Sequence, residues 1–305
     1  MRFVLATLVA GLTALPVAAI TVDGTKDAQY GGPRSVQTVQ TQFGDNLSEL
    51  DAAYAGVEGG MLYLMLTGNL EANFNKLNIF VDSVPGGQNT IAGASNPPNN
   101  GWAGKYNGFT FDTDFAADFL FILRNGNFGG NTFEVDFAVV GGGATDFDEY
   151  LDVFGGTLEG ATTTPGGTNL GFAFEVGFNN SNVAGIVGGT GAADQAAAAA
   201  VMTGIELGIP LAAIGSPSGP IKISAMVNGS NHDFLSNQFL GGLAPPQGNL
   251  GGDGGGNFIG DVSGVDLREF AGNQYFSTVP EPGSLSLAAL AAVGLGLLSR
   301  HRVAA

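Results

Sequence analysis

The sequence predicts an all-β protein: a two-sheet antiparallel β-sandwich with one short helix, flanked by a cleaved signal peptide and a C-terminal hydrophobic helix. Three observations carry this expectation. Phe133, Val135, Phe137 and Val139 alternate with Glu134, Asp136 and Ala138, the period of a strand with one buried face. The 51 Gly, interleaved with Asn, Asp and Pro, punctuate many short apolar runs. Only one tract, around the alanines 196–200, has the composition of a helix.

The elements follow in chain order. Residues 1–19 read as a signal peptide, since Arg2 precedes a 13-residue apolar run and the small residues Val17, Ala18 and Ala19. That run is short of the roughly 20 residues of a membrane span. Strands are expected at 36–41, 51–57, 61–66, 77–81, 119–123, 133–139, 150–154, 172–178, 204–209 and 221–227. The continuously apolar 61–66 and 77–81 belong in the middle of a sheet. A helix over 192–202 caps the sandwich. Loops at 85–101, 155–168 and 243–257 are rich in Gly, Asn and Pro and are expected to be mobile. The domain boundaries are therefore 1–19, 20–278 and 279–305.

Composition excludes several functions. A net charge of −17, with only 10 Lys and Arg, argues against nucleic acid, whose phosphates require basic clusters. With no Cys there are no disulfides, thiolate nucleophiles or Cys-based metal sites. His232 and His301 are the only histidines and cannot build a multi-histidine site. His232 precedes Asp233, but no Gly-x-Ser-x-Gly elbow supplies a nucleophile. The Gly-rich run 251–256 lacks the Gly-Lys-Ser/Thr of a phosphate loop. Residues 20–278 hold 7 basic and 26 acidic residues, a net of −19, which keeps an exported domain soluble and attracts divalent cations.

At the C-terminus, Val279-Pro280-Glu281-Pro282 leads into an apolar stretch, 283–299, and then Arg300-His301-Arg302. Seventeen residues is the lower limit for a transmembrane helix, and the basic cluster would stay cytoplasmic. The two prolines keep the preceding chain extended and accessible. This tripartite end resembles the PEP-CTERM sorting signal read by exosortase in envelope-bearing bacteria that make exopolysaccharide. The resemblance implies export, removal of the leader by signal peptidase, membrane anchoring through the C-terminal helix, and cutting at the motif by exosortase. The destination would be the cell surface or an exopolysaccharide matrix.

A second resemblance lies in the mature domain. The opening Val22-Asp23-Gly24-Thr25-Lys26-Asp27-Ala28-Gln29-Tyr30 is similar to that of family 9 carbohydrate-binding modules and related DOMON-like sandwiches. Leu62-Tyr63-Leu64, the run 77–82 and Gly204-Ile205-Glu206-Leu207-Gly208-Ile209-Pro210-Leu211 agree with it in order. The resemblance implies a sandwich fold, paired aromatic platforms for sugars and bound calcium; this chain has one Trp.

Candidate sites follow. Trp102 and Tyr106 lie in a Gly/Asn-rich segment where aromatic faces can stack on sugar rings. Asp112, Asp114 and Asp118, with Asp23 and Asp27, are candidate Ca²⁺ ligands, Ca²⁺ being the one cofactor the acidic clusters suggest. Asp at strand ends also makes ordinary turns. The expectation is a non-catalytic, exosortase-sorted protein that binds glycan. A secreted polysaccharide hydrolase using two of the carboxylates and a purely structural matrix protein are the alternatives.

Overall fold

A computed structural model describes residues 19–98, 102–127, 129–151, 157–161 and 170–280. Thirteen strands are described: β1 (Ser35–Val36), β2 (Glu49–Glu58), β3 (Met61–Asn69), β4 (Lys76–Asp82), β5 (Phe119–Asn127), β6 (Asn131–Val139), β7 (Thr145–Leu151), β8 (Thr157–Ala161), β9 (Glu175–Asn179), β10 (Gly204–Pro210), β11 (Ile221–Asn228), β12 (Leu235–Leu240) and β13 (Phe276–Thr278). They form two antiparallel sheets, ordered β1-β2-β3-β10-β9-β8 and β12-β11-β4-β5-β6-β7, with β13 also paired to β11. β3 and β4 occupy the middles of their sheets, as their unbroken apolar runs predict.

Alternation places one face of each sheet in the main core. Leu62, Leu64 and Leu66 of β3 join Leu77, Ile79 and Val81 of β4, Phe133, Val135 and Phe137 of β6, and Ile221, Ile223 and Ala225 of β11. At about 25 cal/mol per Å² of apolar surface removed from water, this cluster is the main driving force of the fold.

Several expectations need correction. The expected strand 36–41 is regular only at Ser35–Val36; Val39 and Thr41 make isolated bridges to Ala192 and Gly188 instead. The strand expected at 150–154 begins earlier, at Thr145, and its residues from 152 lie outside the described residues. In the expected strand 172–178, pairing starts only at Glu175. The helix shrinks to α1 (Gln195–Ala199), because Asp194 caps its start by accepting from Ala196 N and Ala197 N. It ends before Thr203, which bridges Thr25. α1 packs on the outer face of β2, where the Tyr54 hydroxyl donates to Ala199 O at 3.0 Å.

Two of the segments expected to be mobile loops, 85–101 and 243–257, contribute to a packed layer, whereas the expected loop 155–168 is described only at 157–161. Ile91, Tyr106, Phe109, Phe111, Phe115, Leu243, Leu250, Val262, Val265 and Leu267 bury against Phe80, Leu120, Ile122, Met226 and Phe239 on the outer face of the second sheet. Aromatic contacts tie this layer down: Phe80 meets Phe111 at 4.8 Å and Tyr106 at 5.0 Å, and Phe111 meets Phe115 at 4.8 Å. β8 arises within the expected loop 155–168.

Candidate functional site

The outer layer opens into a pocket of about 570 Å³ lined by Asn96, Trp102, Gly104, Lys105, Asn231 and Asp233. Trp102 is half-buried and has φ 48° and ψ 34°, a left-handed conformation costly for a residue with a bulky side chain. It stands immediately before a 3₁₀ turn, Ala103–Tyr106. Across the pocket, His232 between Asn231 and Asp233 has φ 57° and is fully buried. Two strained non-glycine residues thus flank one concavity, the pattern of backbone held in place by its surroundings.

Tyr106 is completely buried, so its ring cannot stack on a sugar arriving from solvent. It is a support instead: its ring meets His232 edge-on at 5.6 Å, and its hydroxyl accepts from Asn228 Nδ2 at 3.2 Å. Asn96 Oδ1 accepts from Gly104 N at 2.8 Å, and Lys105 Nζ donates to Gly260 O. The second contact ties the pocket to the segment carrying Phe258, which is 65 % exposed.

Beneath Trp102 lies a row of charges on the outer face of the second sheet. Lys76 pairs with Arg124, Arg124 with Glu134 and Glu134 with Glu149 in register across β4 to β7. Arg124 forks to Glu134 and Asp136, all three buried. Lys76 Nζ lies 5.6 Å from the Trp102 ring centroid and donates to Ser230 O. Burial, and then the Arg124 charge, lower its ammonium to about 8. Burial raises the carboxyl of Asp136 against the pull of Arg124.

The five candidate calcium ligands are engaged with backbone groups or dispersed. Asp118 Oδ2 accepts from Ser83 N and Val84 N at 2.8 and 2.9 Å, and Asp112 Oδ2 accepts from Gln274 N at 2.6 Å. Asp114 offers its backbone carbonyl to Lys222. Asp23 Oδ1 and Asp27 Oδ2 each accept a turn amide, from Thr25 N and Thr21 N, both at 2.7 Å. Among the described residues, no three His, Asp or Glu side chains are grouped to hold a metal ion.

Two of the segments that carry the second resemblance, the opening and β10, meet in space. Glu206, fully buried on β10, accepts from Asp23 N at 2.9 Å and Gly24 N at 3.0 Å through Oε2, and from the Tyr30 hydroxyl at 2.8 Å through Oε1. Glycine is required at position 24, where φ is 79° and a Cβ would sit 2.7 Å from Asn179 N.

The described chain leaves the sandwich at β13. Thr278 is buried and paired with Ile221, Val279 is 58 % exposed, and Pro280 follows. Glu281, Pro282, the expected helix 283–299, Arg300 and Arg302 lie outside the described residues, as do residues 1–18 of the expected signal peptide. No described helix is long and apolar enough to cross a membrane.

Residues 278–302 match the family model of the PEP-CTERM protein-sorting motif. An exported, membrane-processed precursor is the class this defines, and the chain is a PEP-CTERM sorting-domain protein whose motif implies processing by exosortase. Neither the curated proteins nor the solved structures contain a match to the chain.

Sequence reasoning singled out Trp102 as an aromatic residue in a Gly/Asn-rich segment. It missed Asn96, Lys105, Asn231 and Asp233, which are ordinary loop residues until the layer folds. The nearest sequence signal was the Asn231-His232-Asp233 run.

Proposed function

We propose that residues 20–278 form a non-catalytic module that binds glycan at the Trp102 pocket once the protein reaches the cell surface or exopolysaccharide matrix. The observation that carries this reading is a half-exposed Trp held in left-handed backbone on a concavity ringed by Asn96, Lys105, Asn231 and Asp233. A flat apolar ring among amide, carboxylate and ammonium groups suits a sugar, which presents a C–H face and hydroxyl edges. Glycoside hydrolysis needs two carboxyls flanking the scissile bond. Asp233 is the only carboxylate among the described residues that line this pocket, and Glu134 and Asp136 beneath are held by Arg124. Both facts favour binding over turnover.

Affinity electrophoresis of the mature protein through acidic and neutral polysaccharides tests the reading. Retardation lost in Trp102→Ala, without release of sugar, is the expected result. Product release would replace it with the hydrolase, and no retardation in any polysaccharide with the structural matrix protein.

A further inference from the structure

We infer that the cleft between β1 and β13 is the surface on which exosortase docks while it cuts this chain, an inference that rests on exosortase processing. The cleft, about 730 Å³, is lined by Pro33, Arg34, Ser35, Asn273, Tyr275 and Ser277, among others. It lies at the open seam of the sandwich. Among the described strands, β1 pairs only with β2 and β13 only with β11, so each presents a sheet edge. Such an edge is the feature that accepts a partner's extended segment.

The spacing of the chain brings the enzyme to this cleft. Ser277 lines it, and Glu281 is four residues further on, at most roughly 14 Å along an extended chain. The matched motif begins on Thr278, the last residue of β13, so no linker separates the folded edge from Pro-Glu-Pro. A specific protein interface covers about 800 Å² on each partner, a disc of roughly 16 Å radius. An enzyme seated on the motif therefore has the cleft within its footprint. Arg34, exposed and one of only 7 basic residues in the mature domain, places a cation there in a strongly acidic protein. The complementary partner surface carries acidic or carbonyl groups.

The test follows loss of the C-terminal segment by pulse-chase in cells that contain exosortase, with leader removal and the melting temperature of the product as controls for folding. Arg34→Glu reverses the charge, and Asn273→Arg fills the cleft from an exposed position. Each is expected to slow cutting about tenfold. A Gly/Ser spacer of about twelve residues after Thr278, roughly 20 Å of coil, uncouples motif from cleft. It should slow cutting to a similar extent and abolish any further effect of Arg34→Glu. Cutting at the wild-type rate in both substitution variants overturns the docking surface. Glu281→Ala separates the two claims: if it cuts as fast as wild type, exosortase processing itself fails, whereas a block there with normal cutting of both Arg34→Glu and Asn273→Arg removes the cleft alone.

Discussion

The Tyr30 hydroxyl donates a 2.8 Å hydrogen bond to Glu206 Oε1, joining the N-terminal part of the sandwich to a strand 176 residues later. Glu206 Oε2 holds the Asp23 and Gly24 amides, so one carboxylate organises the whole opening turn. Tyr30→Phe removes a single partner from a buried acceptor. It should cost about 1–3 kcal/mol, read as a lower urea midpoint with an unchanged slope. Glu206→Ala also orphans both amides and should cost more. Equal stability of Tyr30→Phe and wild type would mean that this contact does not hold the N-terminal segment.

Buried carboxyls set a pH dependence of unusual sign. Burial pushes Glu49 up to about 8, and Asp51 and Glu206 each up to about 7. Around Glu49 and Asp51 the neighbouring charges are carboxylates, and the Asn182 amide faces Glu49 Oε1 at 3.4 Å, Asp51 Oδ2 at 3.3 Å and Asn69 Oδ1 at 3.1 Å. The folded state therefore binds more protons than the unfolded one between pH about 4.5 and 8. Stability falls as pH rises through that window, by a few kcal/mol in order of magnitude, and levels off above it. Urea titrations from pH 5 to 9 measure the slope, and Glu49→Gln should flatten it. A stability that rises towards pH 8 contradicts the assignment.

The outer layer is a true core and not a decoration. Phe111 is buried against Phe80, Phe109 and Phe115, with centroids at 4.8–4.9 Å. Phe111→Ala should cost about 3–5 kcal/mol, as large-to-small changes in a packed interior do. Phe258→Ser, at a site 65 % exposed, should change stability by less than about 0.5 kcal/mol. Chemical denaturation of both variants decides, and a Phe111→Ala protein as stable as wild type would return the layer to the status of a loop.

Sheet membership was legible where apolar residues fill one face and mostly polar ones the other. β6 and β11 show that alternation although both of their faces are buried, because Glu134, Asp136, Ser224 and Asn228 stand opposite their apolar core sides. β12 escaped notice because Ser236, Asn237 and Gln238 are all buried. Gln238 Oε1 accepts from Gln37 Nε2 and Leu50 N, each at 3.2 Å, so hydrogen bonds stand in for the apolar pattern that sequence reading follows. The outer layer was hidden for a related reason. Its backbone turns irregularly at many glycines, and its aromatics bury only against a sheet face whose neighbours are far away in sequence. Trp102 was visible as an aromatic ring in a Gly/Asn-rich segment. Asn231 and Asp233 reach it only through tertiary folding, and Tyr106 lies on the buried side of a turn whose two sides look alike in sequence.

The same single Trp is a reporter for its pocket. Its emission should shift on glycan binding, since no second Trp contributes background. Trp102→Ala should abolish retardation by polysaccharide while leaving the urea midpoint nearly unchanged, because the ring is half-exposed. Binding that survives with wild-type affinity would move the site elsewhere.

Calcium offers the sharpest contrast between sequence and geometry. A net charge of −19 over residues 20–278 favours cations near the surface, but a bound ion needs six to eight oxygens converging at one point. Asp112 and Asp118 each spend an oxygen on backbone amides, and Asp23 and Asp27 each accept from a local turn. Each keeps lone pairs that could meet a cation, but among the described residues no three His, Asp or Glu side chains are grouped to hold one. The acidic surface should therefore respond to cations by screening, which depends on ionic strength and not on the identity of the ion. Melts of the mature protein in Ca²⁺, Mg²⁺ and NaCl at matched ionic strength should shift together, without saturating. A shift confined to Ca²⁺ that saturates near one equivalent would instead require an oxygen shell that these five aspartates, as folded, do not supply.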